Sequence, residues 1–185
     1  LEEALLDLNK ALTLSPTDVY ALVTRGNLLR VMRRQHEALI DYTKALSLDP
    51  KHIGALINRG IASMEIDDRE GAVSDLEKAV ELDPESGFAL QNLGHAYQVL
   101  GQFEKAQQIY EMFLALETTD TSKAHIYNQL GIMKAEQGDY QEAIRFYEKT
   151  ISIEEKLSPL PLSSLANTYN NMGGVYAKLH DYTNS

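Results

Sequence analysis

The 185-residue chain is 24% charged and 44% hydrophobic, carries a net charge of −10 and contains no cysteine. Such a composition suffices for a buried core, and no apolar run is long enough to span a membrane. The acidic balance argues against general nucleic-acid binding, which needs clustered lysine and arginine against phosphates. The missing cysteines exclude disulfides and thiolate metal sites and fit a reducing, cytoplasmic setting.

Residues 1–15 carry Leu1, Leu5, Leu8 and Leu12 at helical spacing and stop at Pro16. The sequence predicts a helix there, read as the second helix of a repeat truncated at residue 1. Thr17 or Asp18 then caps a helix running to about Met32, and a turn near Arg33 and Arg34 leads into another over 35–48. The next pairs are expected over 52–66 and 69–82, then 86–100 and 103–116, then 121–137 and 140–156. Leu157-Ser158-Pro159-Leu160-Pro161-Leu162 is a longer connection that two prolines hold extended. A last first helix is expected over 163–179, with 181–185 beginning its partner in a repeat again cut short.

One beat runs through these elements. Gly26, Gly60 and Gly94 stand 34 apart, as do Ala4, Ala38, Ala72 and Ala106, and as do Pro16, Pro50 and Pro84. The interval then stretches to 37 at Gly131 and to 42 at Gly173. Small residues at a fixed place let two antiparallel helices approach closely, and Tyr42 is the side chain expected to fill the gap beside Gly26 and Ala38. A period of this size marks a helical solenoid.

The Leu-x-x-Arg/Leu-Gly stretch, the later alanines and the Asp-Pro closure resemble the tetratricopeptide repeat over essentially the whole chain. The resemblance implies an all-α, right-handed superhelical solenoid of antiparallel helix pairs. Its divisions are 1–16, 17–50, 51–84, 85–120, 121–162 and 163–185. The 42-residue step with Ala166-Asn167-Thr168-Tyr169-Asn170-Asn171-Met172-Gly173 is similar to the repeats of kinesin light chain. Arg33 and Asp67 depart from the pattern where glycine is usual at the inter-helix turn. Phe113 and Thr118 depart where alanine and proline are expected.

The residue before each glycine is Arg25, Arg59, Leu93, Leu130 and Met172, and the residue three after each alanine is Asp41, Asp75, Ile109 and Phe146. Arginine travels with aspartate and leucine with an apolar partner. Unpairing a partly buried charge is costly, so the two places are expected to meet between paired helices, as an ion pair early and an apolar contact later.

In this family the first helices line the concave side, an extended binding surface. The resemblance puts Asn27, Asn58, Asn92, His95, Asn128, Gln129, Asn170 and Asn171 on that side, with Arg30 its one fixed charge. A carboxamide offers a donor and an acceptor together, so it can pair with both halves of one peptide unit. The row Asn58, Asn92, Gln129, Asn171 therefore suits an extended peptide held by its backbone, and resembles the asparagine ladder in the repeat arm of O-GlcNAc transferase. The alternative is that the amides stitch neighbouring repeats or merely face water.

The family's carboxylate clamp is not expected. Asn27 and Asn58 match its asparagines, but Val23, Phe88 and Asn92 replace its cations. The five histidines show no metal-ligand spacing, and no nucleophile–base pair, phosphate loop or zinc motif occurs. The expectation is a non-enzymatic scaffold for a protein or peptide partner, without cofactor, metal, nucleic acid or membrane. Its exposed repeat ends would admit end-to-end self-association. The competing reading is the substrate-selecting or regulatory arm of an enzyme whose catalytic domain lies outside these residues.

Overall fold

The structure, a computed structural model, describes residues 1–116 and 119–183, the last three by backbone alone. Thr118, one of the departures from the repeat pattern, lies outside the described residues. Among those residues there are ten helices and no strand. They fall into two compact units, residues 1–101 and 102–185, so that the third expected helix pair is divided between them.

The first unit holds α1 (Glu2–Leu14), α2 (Val19–Val31), α3 (Gln35–Leu48), α4 (Ile53–Glu65), α5 (Arg69–Leu82) and α6 (Gly87–Val99). Local chemistry starts these helices. Asp18 accepts from the Ala21 amide at 3.0 Å, Asp68 from Gly71 at 3.1 Å and Ser86 from Ala89 at 3.4 Å. Each satisfies an amide that the first turn leaves without a helical partner. His52 does the same for α4, its Nδ1 accepting from the Ala55 amide at 3.0 Å.

Consecutive helices pack as hairpins, α2 on α3 and α4 on α5, and α4 also touches α2 and α6. Ala38, Ala45, Ala72 and Ala79 are fully buried where the second helices meet the first. A Cβ on Gly26 would lie 2.6 Å from the Tyr42 ring, and one on Gly60 2.9 Å from Leu76 Cγ. The tyrosine expected to fill the gap does so, and neither glycine position has room for a larger residue.

In the first four repeats the helical conformation breaks at the residue seven after the glycine. Arg33 (φ 62°), Asp67 (φ 67°), Gly101 (φ 72°) and Gly138 (φ 81°) are all left-handed there. That conformation costs a non-glycine residue about 1 kcal/mol, so Arg33 and Asp67 are held in it by the hairpins they join. Arg33→Gly is expected to raise stability by about 0.5–1 kcal/mol, after the extra freedom of glycine in the unfolded chain is subtracted. Chemical denaturation checks this, and a loss would mean that the arginine side chain contributes more than its strained backbone costs.

The second unit holds α7 (Phe103–Ala115), α8 (Asp120–Glu136), α9 (Tyr140–Glu154) and α10 (Leu162–Thr183). A Cβ on Gly131 would stand 2.5 Å from Tyr147, repeating the contact of Gly26 with Tyr42. Thr150 takes a place held by alanine in earlier repeats, and its buried hydroxyl donates to the Phe146 carbonyl at 3.0 Å. Phe113, also in place of alanine, is buried. Met172 packs against a cluster of Ala143, Ile144, Tyr147 and Val175.

One expected boundary is corrected. His180 stands seven after Gly173, where a turn and a new helix from 181 were predicted, but α10 continues through it to Thr183. An L-residue stays right-handed unless packing forces it out, and His180 does so.

Candidate functional site

The first unit brings α2, α4 and α6 side by side. On α2, Asn27 is half-buried and its Oδ1 accepts from the Tyr42 hydroxyl at 2.7 Å. On α4, Asn58 is half-buried, and among the described residues its carboxamide has no hydrogen-bond partner. On α6, Asn92 donates Nδ2 to the Phe88 carbonyl of its own helix at 2.7 Å, which leaves its oxygen as an acceptor. His95, one position past Gly94, is exposed.

Arg30 is not alone on this face. Its Nη1 donates to Glu65 Oε1 of α4 at 2.8 Å, with both side chains about a quarter exposed. The expectation of a single fixed charge is therefore corrected to an ion pair that cancels. Glu65 escaped notice because it lies five residues past Gly60, one turn position beyond the inner stripe. Its separation from Arg30, one repeat plus one residue, was the available signal.

Between α4 and α6 lies a cavity of about 400 Å³, lined by Ile61, Met64, Glu65, Leu76, Asn92, His95 and Val99. Its wall is mostly apolar, with the Glu65 carboxylate and the Asn92 amide at its polar edges.

In the second unit, Asn128 of α8 donates Nδ2 to Thr168 Oγ1 of α10 at 2.9 Å. Thr168 is fully buried and bonds Glu154 Oε2 at 3.3 Å, and Ser164 donates to the other Glu154 oxygen. Asn128, expected in the groove, thus takes part in a stitch between repeats. Gln129 and Asn171 are half-buried and Asn170 is exposed.

Away from this face, Arg25 Nε and Nη2 donate to the two Asp41 oxygens at 2.7 and 2.6 Å, and Arg59 does the same to Asp75 at 2.6 and 2.7 Å. The remaining Nη1 reaches the preceding second helix, to Asn9 Oδ1 at 2.8 Å from Arg25 and to Thr43 Oγ1 at 3.4 Å from Arg59. Hydrogen bonding to the carboxylate raises the pKa of each guanidinium further above its ordinary value. Later in the chain Leu130 is buried and Phe146 stacks on Tyr127, ring centroids 6.2 Å apart. The two ion pairs join the places expected to meet, and Leu130 and Phe146 stand at the corresponding places later in the chain.

Tetratricopeptide-repeat sequence profiles match residues 19–52, 53–86 and 86–156. The chain is a tetratricopeptide-repeat protein. No curated protein matches it in sequence. Among solved structures, MamA from Desulfovibrio magneticus RS-1 (its residues from 41 to the end) superposes with a TM-score of 0.78 at 25% identity, over 85% of this chain and 87% of that one. YrrB, described as a repeat protein with an unusual peptide-binding site, gives 0.71 at 22% identity, over 94% and 84%. A chain of the APC/C hetero-tetramer Cut9–Hcn1 gives 0.76 at 22% identity, over 98% of this chain and 34% of that one. The last two speak for the fold alone.

As a tetratricopeptide-repeat array the protein belongs to a generally non-catalytic class of scaffolds that bind protein or peptide partners. No cluster of side chains that could hold a metal occurs among the described residues, nor any helix long and apolar enough to cross a membrane. In this array the amides differ in how much of their hydrogen-bonding capacity is already used. Among the described residues Asn58 makes no hydrogen bond, Asn27 uses its oxygen once, and Asn92 and Asn128 each use one N–H, the latter toward Thr168.

Proposed function

We propose that the protein binds an extended peptide segment of a partner protein along the face formed by α2, α4 and α6, reading the peptide backbone through carboxamides. The observation that carries this reading is Asn58. It sits on the middle one of three adjacent first helices with both donor and acceptor unspent. Its amide atoms still reach water, since Arg30 Nε is the buried side-chain polar atom left without a partner among the described residues, and one peptide unit supplies both complementary groups in place of that water. Asn92 offers its oxygen one helix further on. Arg30 is paired with Glu65, so a charged carboxylate terminus would have to compete with Glu65 for it.

Comparison of the wild type with the double variant Asn58→Ala, Asn92→Ala tests this in a quantitative pull-down. At about 1 kcal/mol for each lost hydrogen-bond pair, retention of groove partners should fall roughly 30-fold. The melting temperature should hardly move, because neither amide hydrogen-bonds to another helix among the described residues. An unchanged partner list would leave the amide row without a binding role.

A further inference from the structure

The cavity between α4 and α6 lies where one residue breaks a pattern. Sixteen places after each repeat glycine stand Tyr42, Leu76, Tyr110 and Tyr147. Tyr42 and Tyr147 are fully buried against their glycines, and the Tyr42 hydroxyl reaches across to Asn27 on the first-helix face. Leu76 is buried against Gly60 in the same way but is shorter and ends below that face. The space that a tyrosine ring takes in the other hairpins is here part of the 400 Å³ cavity, with Leu76 as its floor and Ile61, Met64 and Val99 around it. Glu65 lies at its edge, and among the described residues one oxygen of that carboxylate is bound, by Arg30. The stretch that supplies the cavity is acidic on balance: residues 51–100 hold nine carboxylates against four lysines and arginines, a net of −5.

We propose that this cavity is the anchor subsite of the peptide-binding face and that its occupant is a leucine or methionine side chain from a basic peptide segment, a neighbouring lysine or arginine of which pairs with Glu65. The proposal rests on the peptide-binding reading above and adds to it a side-chain preference. An aliphatic side chain matches the apolar wall and the size of the gap. A cation beside it meets the second Glu65 oxygen and is drawn in by the field of the acidic surface. An acidic segment would meet repulsion at the same place, so charge also excludes the wrong ligands.

The test uses the 185-residue chain against a positional-scanning library of dodecapeptides, acetylated and amidated so that no terminal charge contributes. The wild type should prefer central leucine or methionine over alanine by about 30-fold, the burial of a few methylene groups, with lysine or arginine enriched beside it. Leu76→Phe fills the cavity with the aromatic ring that the other hairpins already accommodate, so it should fold, and it should erase the aliphatic preference. Glu65→Gln should keep the aliphatic preference and lose the basic one. Asn58→Ala, outside the cavity lining, should weaken all peptides alike. Retention of peptides with no aliphatic and basic enrichment, or an unchanged preference in Leu76→Phe, overturns the anchor while the backbone reading stands. A wild type that retains no peptide overturns both.

Discussion

Arg25→Leu is expected to destabilise the first unit by about 3–5 kcal/mol, and adding Asp41→Ile to restore most of that loss. The asymmetry follows from burial. The Asp41 side chain is only 4% exposed and receives both of its strong bonds from Arg25, so removing the guanidinium strands a carboxylate away from water. It also unfastens Asn9, through which Arg25 ties its hairpin to α1. The double variant installs the leucine and isoleucine that this chain itself uses at Leu93 and Ile109. Replacing a buried ion pair by apolar side chains of similar volume is close to neutral, whereas halving it is not. Urea denaturation of the four members of the cycle should give a coupling energy of at least about 2 kcal/mol between the sites. Losses that simply add would mean that the pair is incidental, with each side chain held by its other neighbours. Asp75→Ile with Arg59→Leu repeats the experiment one hairpin along, where the third contact, to Thr43, is longer at 3.4 Å and less should be lost outside the pair.

That pair was legible before any coordinates because its two members keep a constant separation of 16 residues, and a constant separation across repeats implies a constant geometry. The same reasoning made the helices, the glycine–tyrosine contacts and the hairpin turns readable. What failed to show was whatever breaks the period. Arg30 meets Glu65 across 35 residues, so the match is with a neighbouring repeat offset by one position, and no repeat-by-repeat alignment places them together. Asn128 meets Thr168 across the stretched 42-residue step, where spacing no longer fixes which residues face each other. The distribution of the amides' hydrogen bonds was equally hidden. Asn58 and Asn92 occupy the same place in their repeats, yet Asn92 folds back onto its own helix. Leu76 is the intermediate case. Its departure from tyrosine is plain in the sequence, but only the packed helices convert a shorter side chain into a cavity rather than a local collapse.

Stability is expected to fall steeply as pH rises from 10 towards 12, and Tyr147→Phe to flatten that fall. Tyr42 and Tyr147 are almost completely enclosed, and burial, which disfavours the phenolate, pushes each pKa up to about 12. Tyr110 and Tyr97 are shifted upward by the same cause. In the unfolded chain all four ionise near 10. Below pH 10 the phenols are protonated in both states and their packing contributes fully. Between 10 and 12 the unfolded chain releases protons that the folded one retains, which draws the equilibrium towards unfolding. Each fully buried phenol accounts for a loss on the order of 2 kcal/mol across that window. Lysines also discharge there, so the decisive quantity is the difference between variants. Tyr147→Phe keeps the ring against Gly131 and removes only the ionisable hydroxyl, so its stability should approach or overtake that of the wild type as the pH climbs. Tyr42→Phe should show the same slope but start lower by about 1 kcal/mol, because it leaves Asn27 Oδ1 without its donor. Denaturation curves at pH 8, 10 and 11.5 separate the cases. Profiles that run parallel would mean that water reaches the hydroxyls, and that the first helices stand further from their partners than the contact of Gly131 with Tyr147 requires.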